Sequence, residues 1–330
     1  MRGYGQTDVP AANTRTTSSS LSGYNVQTLA QDVVSIALAL GYDRFVVVGH
    51  DFGSWLAWRV AILHPDRVLA VCGMSVPFVG LDSPKHYGPL EQLQRRYGRC
   101  LDRSASDEEM RNAKFHYMLH HCLNGSAEEY DKNVEEVLFR LLCYHPGFDC
   151  FDNTPEVTDK RMFLPHQQQS EKKRNFTFDA SSAPGWWKRL PRPVKLPPWL
   201  SQSDMDFYIS EFKRAGFAGG LKWYRALDMN WKQLRHFGDN KIHPPALFIA
   251  GNEDGVIQAH GGEEFIRKRM QERCDNLANV VILEGAGHWI QQERAYDVNI
   301  CLLKFLDEFI VPNYGNERFQ QSTCTSRSKL

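Results

Sequence analysis

Apolar residues occur along this chain in two spacings. In four places they form short runs, at Phe45–Val48, Arg67–Cys72, Pro245–Gly251 and Asn279–Gly285, and the first of these is rich in β-branched residues. Such runs are typical of strands that are buried on both faces of a parallel sheet. They predict four strands, two in the first quarter of the chain and two in the last.

Elsewhere the apolar residues recur every three or four positions, which is the spacing of one helix face. Helices are predicted at Val26–Leu40, about Ser54–Leu63, about Gly262–Arg273 and about Tyr296–Phe309. Glycine and proline residues follow the first two of these segments and stop the helices there. The order strand, helix, strand implies parallel pairing and an α/β sheet.

The middle of the chain has a different pattern. From about residue 77 to residue 243 there are helical patches and long polar stretches, but no strand alternation, and residues 165–198 are polar and proline-rich, which predicts a loop. We therefore predict a sheet domain interrupted by a mostly helical lid. The predicted parts are a first core segment (1–79), a lid with insertions (80–243), a second core segment (244–312) and a tail (313–330).

Charge and composition narrow the possible partners. Basic and acidic residues number 39 each, which gives no support for a nucleic-acid or membrane-surface partner. No apolar run approaches the ~20 residues of a membrane helix, and no cysteine or histidine cluster has metal-ligand spacing. The last three residues, Ser328, Lys329 and Leu330, form a peroxisomal address. We therefore expect binding to the import receptor and a peroxisomal location, with a cytoplasmic location as the other one considered.

The segment Gly-His-Asp-Phe-Gly lies between a predicted strand and a predicted helix and places Asp51 in a sharp turn. Such a turn needs small neighbours, which Gly49 and Gly53 supply, and it points its central side chain outward. The positive end of the helix favours an ionised carboxylate there, which is a nucleophile without any activating base. The simpler alternative is a turn in which the aspartate only caps the helix.

Two later loops contain further candidate site residues, an acid and a histidine. Asp254 follows the third predicted strand, and His288, in Gly-Ala-Gly-His-Trp, follows the fourth. Sites in open α/β sheets form at the carboxyl ends of the strands. The chain order nucleophile, acid, histidine is that of the α/β-hydrolases.

The lid segment FYISEFKRAGFAGGLKWYR (207–225), together with GHDFG and the closing GHW, resembles the soluble epoxide hydrolases of the α/β-hydrolase family over residues 1 to about 310. The resemblance implies an α/β-hydrolase fold and hydrolysis of an epoxide to a vicinal diol, without cofactor or metal. It implies that Asp51 is the nucleophile, Asp254 the orienting acid and His288 the base that activates water.

The resemblance also implies that two lid tyrosines hold the epoxide oxygen. Tyr224 matches one of them, and Tyr117 is the best match for the other, although residues 98–113 beside it look like an insertion. Phe52, Trp289 and Trp223 are expected to line the substrate pocket, and the backbone N–H of Phe52 to donate to the oxyanion.

The chain departs from the family pattern at two points. Phe52 stands where the family has tryptophan, and the His-Gly-x-Pro loop that supplies a second oxyanion donor is not in the sequence. The segment MRGYGQTD resembles the part of the family that follows the front strands. We therefore expect a sheet whose first strands are missing, and a natural protein that starts upstream of Met1.

Two alternatives stay open from the sequence. A haloalkane dehalogenase shares the aspartate and histidine, but it grips the halide with ring N–H donors, which Phe52 lacks. A catalytically inactive fragment or binding protein is the other alternative, because of the missing strands.

Overall fold

The structure is a computed structural model that describes residues 1–8, 21–80, 87–97, 116–143, 187, 190, 192–237 and 241–314. The chain divides into two compact units. A helical unit comprises Met1–Leu29 and Leu81–Gly238, and a sheet unit comprises Ala30–Gly80 and Asp239–Leu330. The helix Val26–Ala39 begins in the first and continues into the second.

The sheet unit contains four strands, β1 (Phe45–His50), β2 (Val68–Met74), β3 (Ala246–Gly251) and β4 (Leu277–Leu283). All neighbouring strands are parallel, in the order β1-β2-β3-β4. The four predicted strands are confirmed with boundaries that differ by at most three residues. This parallel sheet agrees with the α/β-hydrolase fold that the sequence predicts. In the described residues β1 pairs with β2 alone.

Helices follow the strands of this unit, as the apolar spacing predicts. They span Phe52–Leu63, Gly255–Ala259, Gly262–Arg273, Ile290–Glu293, Ala295–Phe309 and Val311–Tyr314. The helix after β1 is buried along most of its length, and the indole N–H of Trp58 donates to the carbonyl of Val76 (3.0 Å). The last long helix packs Val298 and Phe305 against β2 and β3. This packing fixes the carboxyl ends of the strands, where the site residues lie.

The helical unit consists of short helices. They span Pro89–Tyr97, Tyr117–His121, Ser126–Asp131, Val134–Cys143, Gln202–Ala215, Ala218–Arg225 and Leu227–Leu234, with 3₁₀ turns at Ser22–Tyr24 and Arg235–Phe237. A capping box of Ser201 and Asp204 starts the longest helix, and Gly216 at φ 69° ends it. The predicted mostly helical character of this region is therefore observed in its described residues.

The first residues group with the helices, whereas the sequence predicts residues 1–79 to form the first core segment. The Trp223 indole donates to the carbonyl of Arg2 (3.0 Å), and the Asn230 side chain accepts from Val26 N–H (2.8 Å). Gly3 and Gly219 approach so closely that a Cβ on either would overlap the other's backbone. Nothing in the sequence spacing indicates these contacts, because they join positions about 200 residues apart.

Several predictions fall outside the described residues. These are the C-terminal tripeptide Ser328–Leu330, the insertion at 98–113 and most of the proline-rich loop at 165–198. Within the described part of the chain, no helix has the length and apolar character needed to cross a membrane.

Candidate active site

The turn between β1 and its helix holds Asp51 in an unusual backbone conformation. Its φ is 53°, in the left-handed region that non-glycine residues rarely adopt. A Cβ at Gly49 would overlap the carbonyl group of Gly53, so the tight turn depends on a glycine there. The Asp51 carboxylate makes no helix-capping hydrogen bond. A capping role therefore does not account for this strained residue, and such strain is concentrated at functional sites.

Two further loops bring their side chains to the same place. The ring of His288 lies between two carboxylates, with Nδ1 3.0 Å from Oδ2 of Asp254 and Nε2 3.5 Å from Oδ2 of Asp51. Asp254 is 2% exposed, and its other oxygen accepts from Val256 N–H at 2.9 Å. Asp254 also caps the helix Gly255–Ala259, and this contact holds its carboxylate in place independently of His288. The three residues that the chain order singled out are therefore in contact.

The charges of this group shift the pKa values of its members. Burial raises the pKa of Asp51, but the hydrogen bond and charge of His288 outweigh it and lower that pKa to about 2. Burial lowers the pKa of His288, but the charge and hydrogen bond of Asp254, together with Asp51, raise it well above its ordinary value. In this resting arrangement Asp51 is ionised and His288 carries a proton.

A second histidine, which sequence reasoning assigned no role, lies beside the first. The rings of His50 and His288 are 4.8 Å apart, and the Nε2 atom of His50 is 2.7 Å from the carbonyl oxygen of His288. Burial, followed by the charge of His288, lowers the pKa of His50 to about 4. His50 is therefore neutral near pH 7, and it donates through Nε2 because a carbonyl oxygen can only accept.

The lid tyrosines meet in the helical unit. The rings of Tyr117 and Tyr224 lie edge to face with centroids 6.1 Å apart. The buried ring of His121 packs against both, at 5.5 Å from Tyr117 and 4.6 Å from Tyr224. The Nδ1 atom of His121 is 2.9 Å from the hydroxyl of Tyr130. His121 is a contact of both tyrosines that the sequence analysis missed.

The three residues expected in the pocket lie in different surroundings. Phe52 is the first residue of the helix after Asp51, and Trp289 packs its ring 5.2 Å from that of His288. Trp223 is 2% exposed and packs in the helical unit against Tyr24, with its ring N–H bound to the backbone of Arg2. Its side chain therefore has a packing role, and a pocket role for it stays a prediction.

Comparison with known proteins bears on this arrangement. Residues 1–99 match the α/β-hydrolase fold family. Epoxide hydrolase A of Mycobacterium tuberculosis is 32% identical over 307 residues, which cover 92% of this chain and 79% of that protein. The chain belongs to the epoxide hydrolases. Epoxide hydrolase 3 of Siraitia grosvenorii is 27% identical over 94% of this chain and 82% of its own length.

Solved structures of epoxide hydrolases agree with this assignment. The crystal structure of epoxide hydrolase A from Mycobacterium thermoresistibile superposes with a TM-score of 0.70 at 31% identity, covering 93% of this chain and 80% of that one. The predicted resemblance, fold class and enzyme class are thereby confirmed. The dehalogenase alternative gains no support from these relatives.

Proposed function

We propose that this epoxide hydrolase opens its substrate by nucleophilic attack of Asp51 and forms a covalent alkyl-aspartyl intermediate. The carboxylate would attack one ring carbon, the carbon–oxygen bond of the ring would break, and the ring oxygen would take the bonding electrons. The low pKa of Asp51 supports this step, because the carboxylate is ionised throughout the neutral range and needs no base.

The departing ring oxygen needs a proton or hydrogen bonds as its charge develops. We assign this role to the hydroxyls of Tyr117 and Tyr224, on the family resemblance and on the direct packing of their two rings. Two donors on one oxygen would stabilise the alkoxide. One of the two hydroxyls would then pass its proton to the alkoxide to give the first hydroxyl of the diol, and would regain a proton from solvent.

In the second step water would attack the carbonyl carbon of the Asp51 ester. His288 would take a proton from that water, and the bond between the carbonyl carbon and the ester oxygen would break. The leaving alkoxide would take that proton back from His288 and become the second hydroxyl of the diol. The backbone N–H of Phe52 is the assigned donor to the intermediate oxyanion. Asp254 supports this role of His288, because a carboxylate on Nδ1 leaves Nε2 as the atom that exchanges the proton.

The charge of Asp51 gives the two steps an order. While Asp51 is ionised, its charge helps to keep the pKa of His288 raised, so the histidine holds its proton. Formation of the ester removes that charge from a site 3.5 Å away and lowers the affinity of Nε2 for a proton. His288 would thus become a base only after the ester has formed.

The observation that carries this proposal is the placement of His288 between two carboxylates of which one, Asp51, occupies the strained turn. One turnover in ¹⁸O-water tests it. Since water attacks the carbonyl of the ester, we expect the label in the side chain of Asp51, detected by mass spectrometry of the peptide. Label in the diol with an unlabelled Asp51 would exclude the covalent route.

We further propose that the enzyme enters peroxisomes through Ser328, Lys329 and Leu330. The strict position of these residues at the C-terminus supports the proposal. A fluorescent fusion with this C-terminus left free should give peroxisomal fluorescence, and deletion of Leu330 should give diffuse fluorescence. Identical patterns for both fusions would contradict the proposal.

A further inference from the structure

The peptide group that follows His288 is bound at both of its polar atoms. Its carbonyl oxygen accepts from Nε2 of His50 at 2.7 Å and from Oγ of Ser75 at 2.9 Å. Its N–H, which belongs to Trp289, donates to Oε1 of Glu293 at 2.8 Å. Both lone pairs of the carbonyl and the one hydrogen of the amide are therefore used by side chains.

The other oxygen of Glu293 reaches the preceding residue. Oε2 accepts from Gly287 N–H at 2.6 Å, so one carboxylate holds the backbone on both sides of His288. Hydrogen bonds to an ionised acceptor are about twice as strong as neutral ones. The direction of the bond from Cα to Cβ of His288 is thus fixed by the backbone itself, and not only by contacts of the ring.

Ser75 shows strain that this contact explains. It directly follows β2 with φ 64° and is, with Asp51, one of the two non-glycine residues with positive φ among those described. Its side chain is fully buried, and its own N–H donates to Ile249 at 3.0 Å. A left-handed serine in a buried position persists only where its surroundings hold it. Here the conformation directs its hydroxyl at the carbonyl of His288.

We infer that Ser75, Glu293 and His50 are positioning residues that hold the imidazole of His288 in line between Asp254 and Asp51. The inference rests on the proposed role of His288 as the base. The imidazole must lose and regain a proton without moving, because displacement by about 1 Å can cost on the order of 100-fold in rate. His50 and Ser75 bind the carbonyl of His288, and Glu293 binds the N–H groups of Gly287 and Trp289 on either side of it. None of these hydrogen bonds is made to the ring nitrogens of His288.

Removal of the hydroxyl in Ser75→Ala tests the inference. We expect the single-turnover hydrolysis of the alkyl-enzyme to slow by about 10-fold, while its formation changes by less than about 3-fold, because only the second step uses His288 as a base. Glu293→Gln, which loses one of its two acceptor contacts, should have the same selective effect. Ser75→Gly removes the same hydroxyl without the strain of a left-handed side chain and serves if Ser75→Ala does not fold.

Ser54→Ala is the matched control. Ser54 is also fully buried, and its hydroxyl donates to the carbonyl of Val76 at 2.7 Å, which accepts a second bond from Trp58. The substitution therefore removes one of two donors to a carbonyl in the same unit without touching His288. We expect it to lower the melting temperature and to leave the ratio of the two rates unchanged.

A second measurement is independent of turnover. The proton between His288 and Asp254 should give a downfield NMR resonance, which we expect to broaden or move in Ser75→Ala and Glu293→Gln but not in Ser54→Ala. Unchanged hydrolysis and an unchanged resonance in both variants would overturn the inference, and so would an equal loss in both rates. If the wild-type chain makes no diol from styrene oxide, the proposed function fails, whereas the resonance still decides whether the backbone is held as inferred.

Discussion

Replacement of Asp254 by asparagine should separate the two chemical steps. Asparagine can keep the bond to Val256 N–H through its amide oxygen, so the helix cap survives. Its NH₂ group would then face Nδ1 of His288, and two donors cannot share a hydrogen bond. The histidine is forced into the tautomer that carries its hydrogen on Nε2, where it cannot accept a proton from water.

The size of the effect follows from one distance. Oδ2 of Asp254 and Nδ1 of His288 are 3.0 Å apart. With an effective dielectric constant of about 20, unit charges at that distance attract by roughly 5 kcal/mol. Solvent weakens the attraction, because 26% of the His288 side chain is exposed. If protonated His288 loses roughly 3–5 kcal/mol of electrostatic stabilisation, hydrolysis of the alkyl-enzyme should slow by roughly 10²–10⁴-fold.

Stopped-flow fluorescence with acid quenching measures both steps. We expect Asp254→Asn to form the alkyl-enzyme and then to accumulate it, with an intact mass increased by the whole mass of the substrate. Asp297→Asn is the control, since Asp297 pairs with Arg294 at 2.7 Å and has no contact with His288 in the structure. Diol release at the wild-type rate, or alkylation reduced as much as hydrolysis, would refute the reasoning.

Three other predictions test separate parts of the site. Asp51→Asn removes an anion beside His288, so an NMR titration should show a lower pKa for His288 than in the wild type; an equal pKa would mean that Asp51 does not act on it. Gly49→Ala should lower the free energy of unfolding in urea by more than about 3 kcal/mol, because the new Cβ would overlap the facing backbone. Gly285→Ala is the control and should lower it by about 1 kcal/mol, because nothing lies within 4 Å of its Cβ. Equal losses in the two variants would contradict the crowding at Gly49. Tyr224→Phe should slow alkylation about 100-fold and spare hydrolysis, and an unchanged alkylation rate in single turnovers would remove this residue from the mechanism.

The sheet and the candidate site were predictable because their signals are local. A buried parallel strand needs a run such as Phe-Val-Val-Val, and the turn after it needs Gly49 for steric reasons that hold wherever a strand bends sharply into a helix. Asp51, Asp254 and His288 each follow a predicted strand. Since the carboxyl ends of parallel strands share one edge, this placement was enough to predict that they meet.

The supporting contacts were not predictable, because they join side chains to distant backbone. Ser75 binds the carbonyl of a residue 213 positions away, and no spacing or composition marks that pair. Glu293 is only five residues after His288, yet an acid in the polar segment after that histidine has many possible partners in the sequence. The grouping of residues 1–29 with the helical unit is hidden for the same reason, since it depends on the backbone of Arg2 and Gly3.

The neighbouring residues His288 and His50 have pKa values that are shifted in opposite directions by their surroundings. His288 faces two carboxylates, which raise its pKa well above the ordinary value. His50 is partly buried and faces a carbonyl oxygen, and desolvation lowers its pKa to about 4. With ring centroids 4.8 Å apart, two charged imidazoles would repel each other. The neutral state of His50 thus lets His288 carry the proton that the proposed mechanism requires, while its Nε2–H still holds the carbonyl of His288. His50 thereby helps to hold His288 in place without adding a charge beside it. The charges that raise the pKa of His288 come from Asp51 and Asp254.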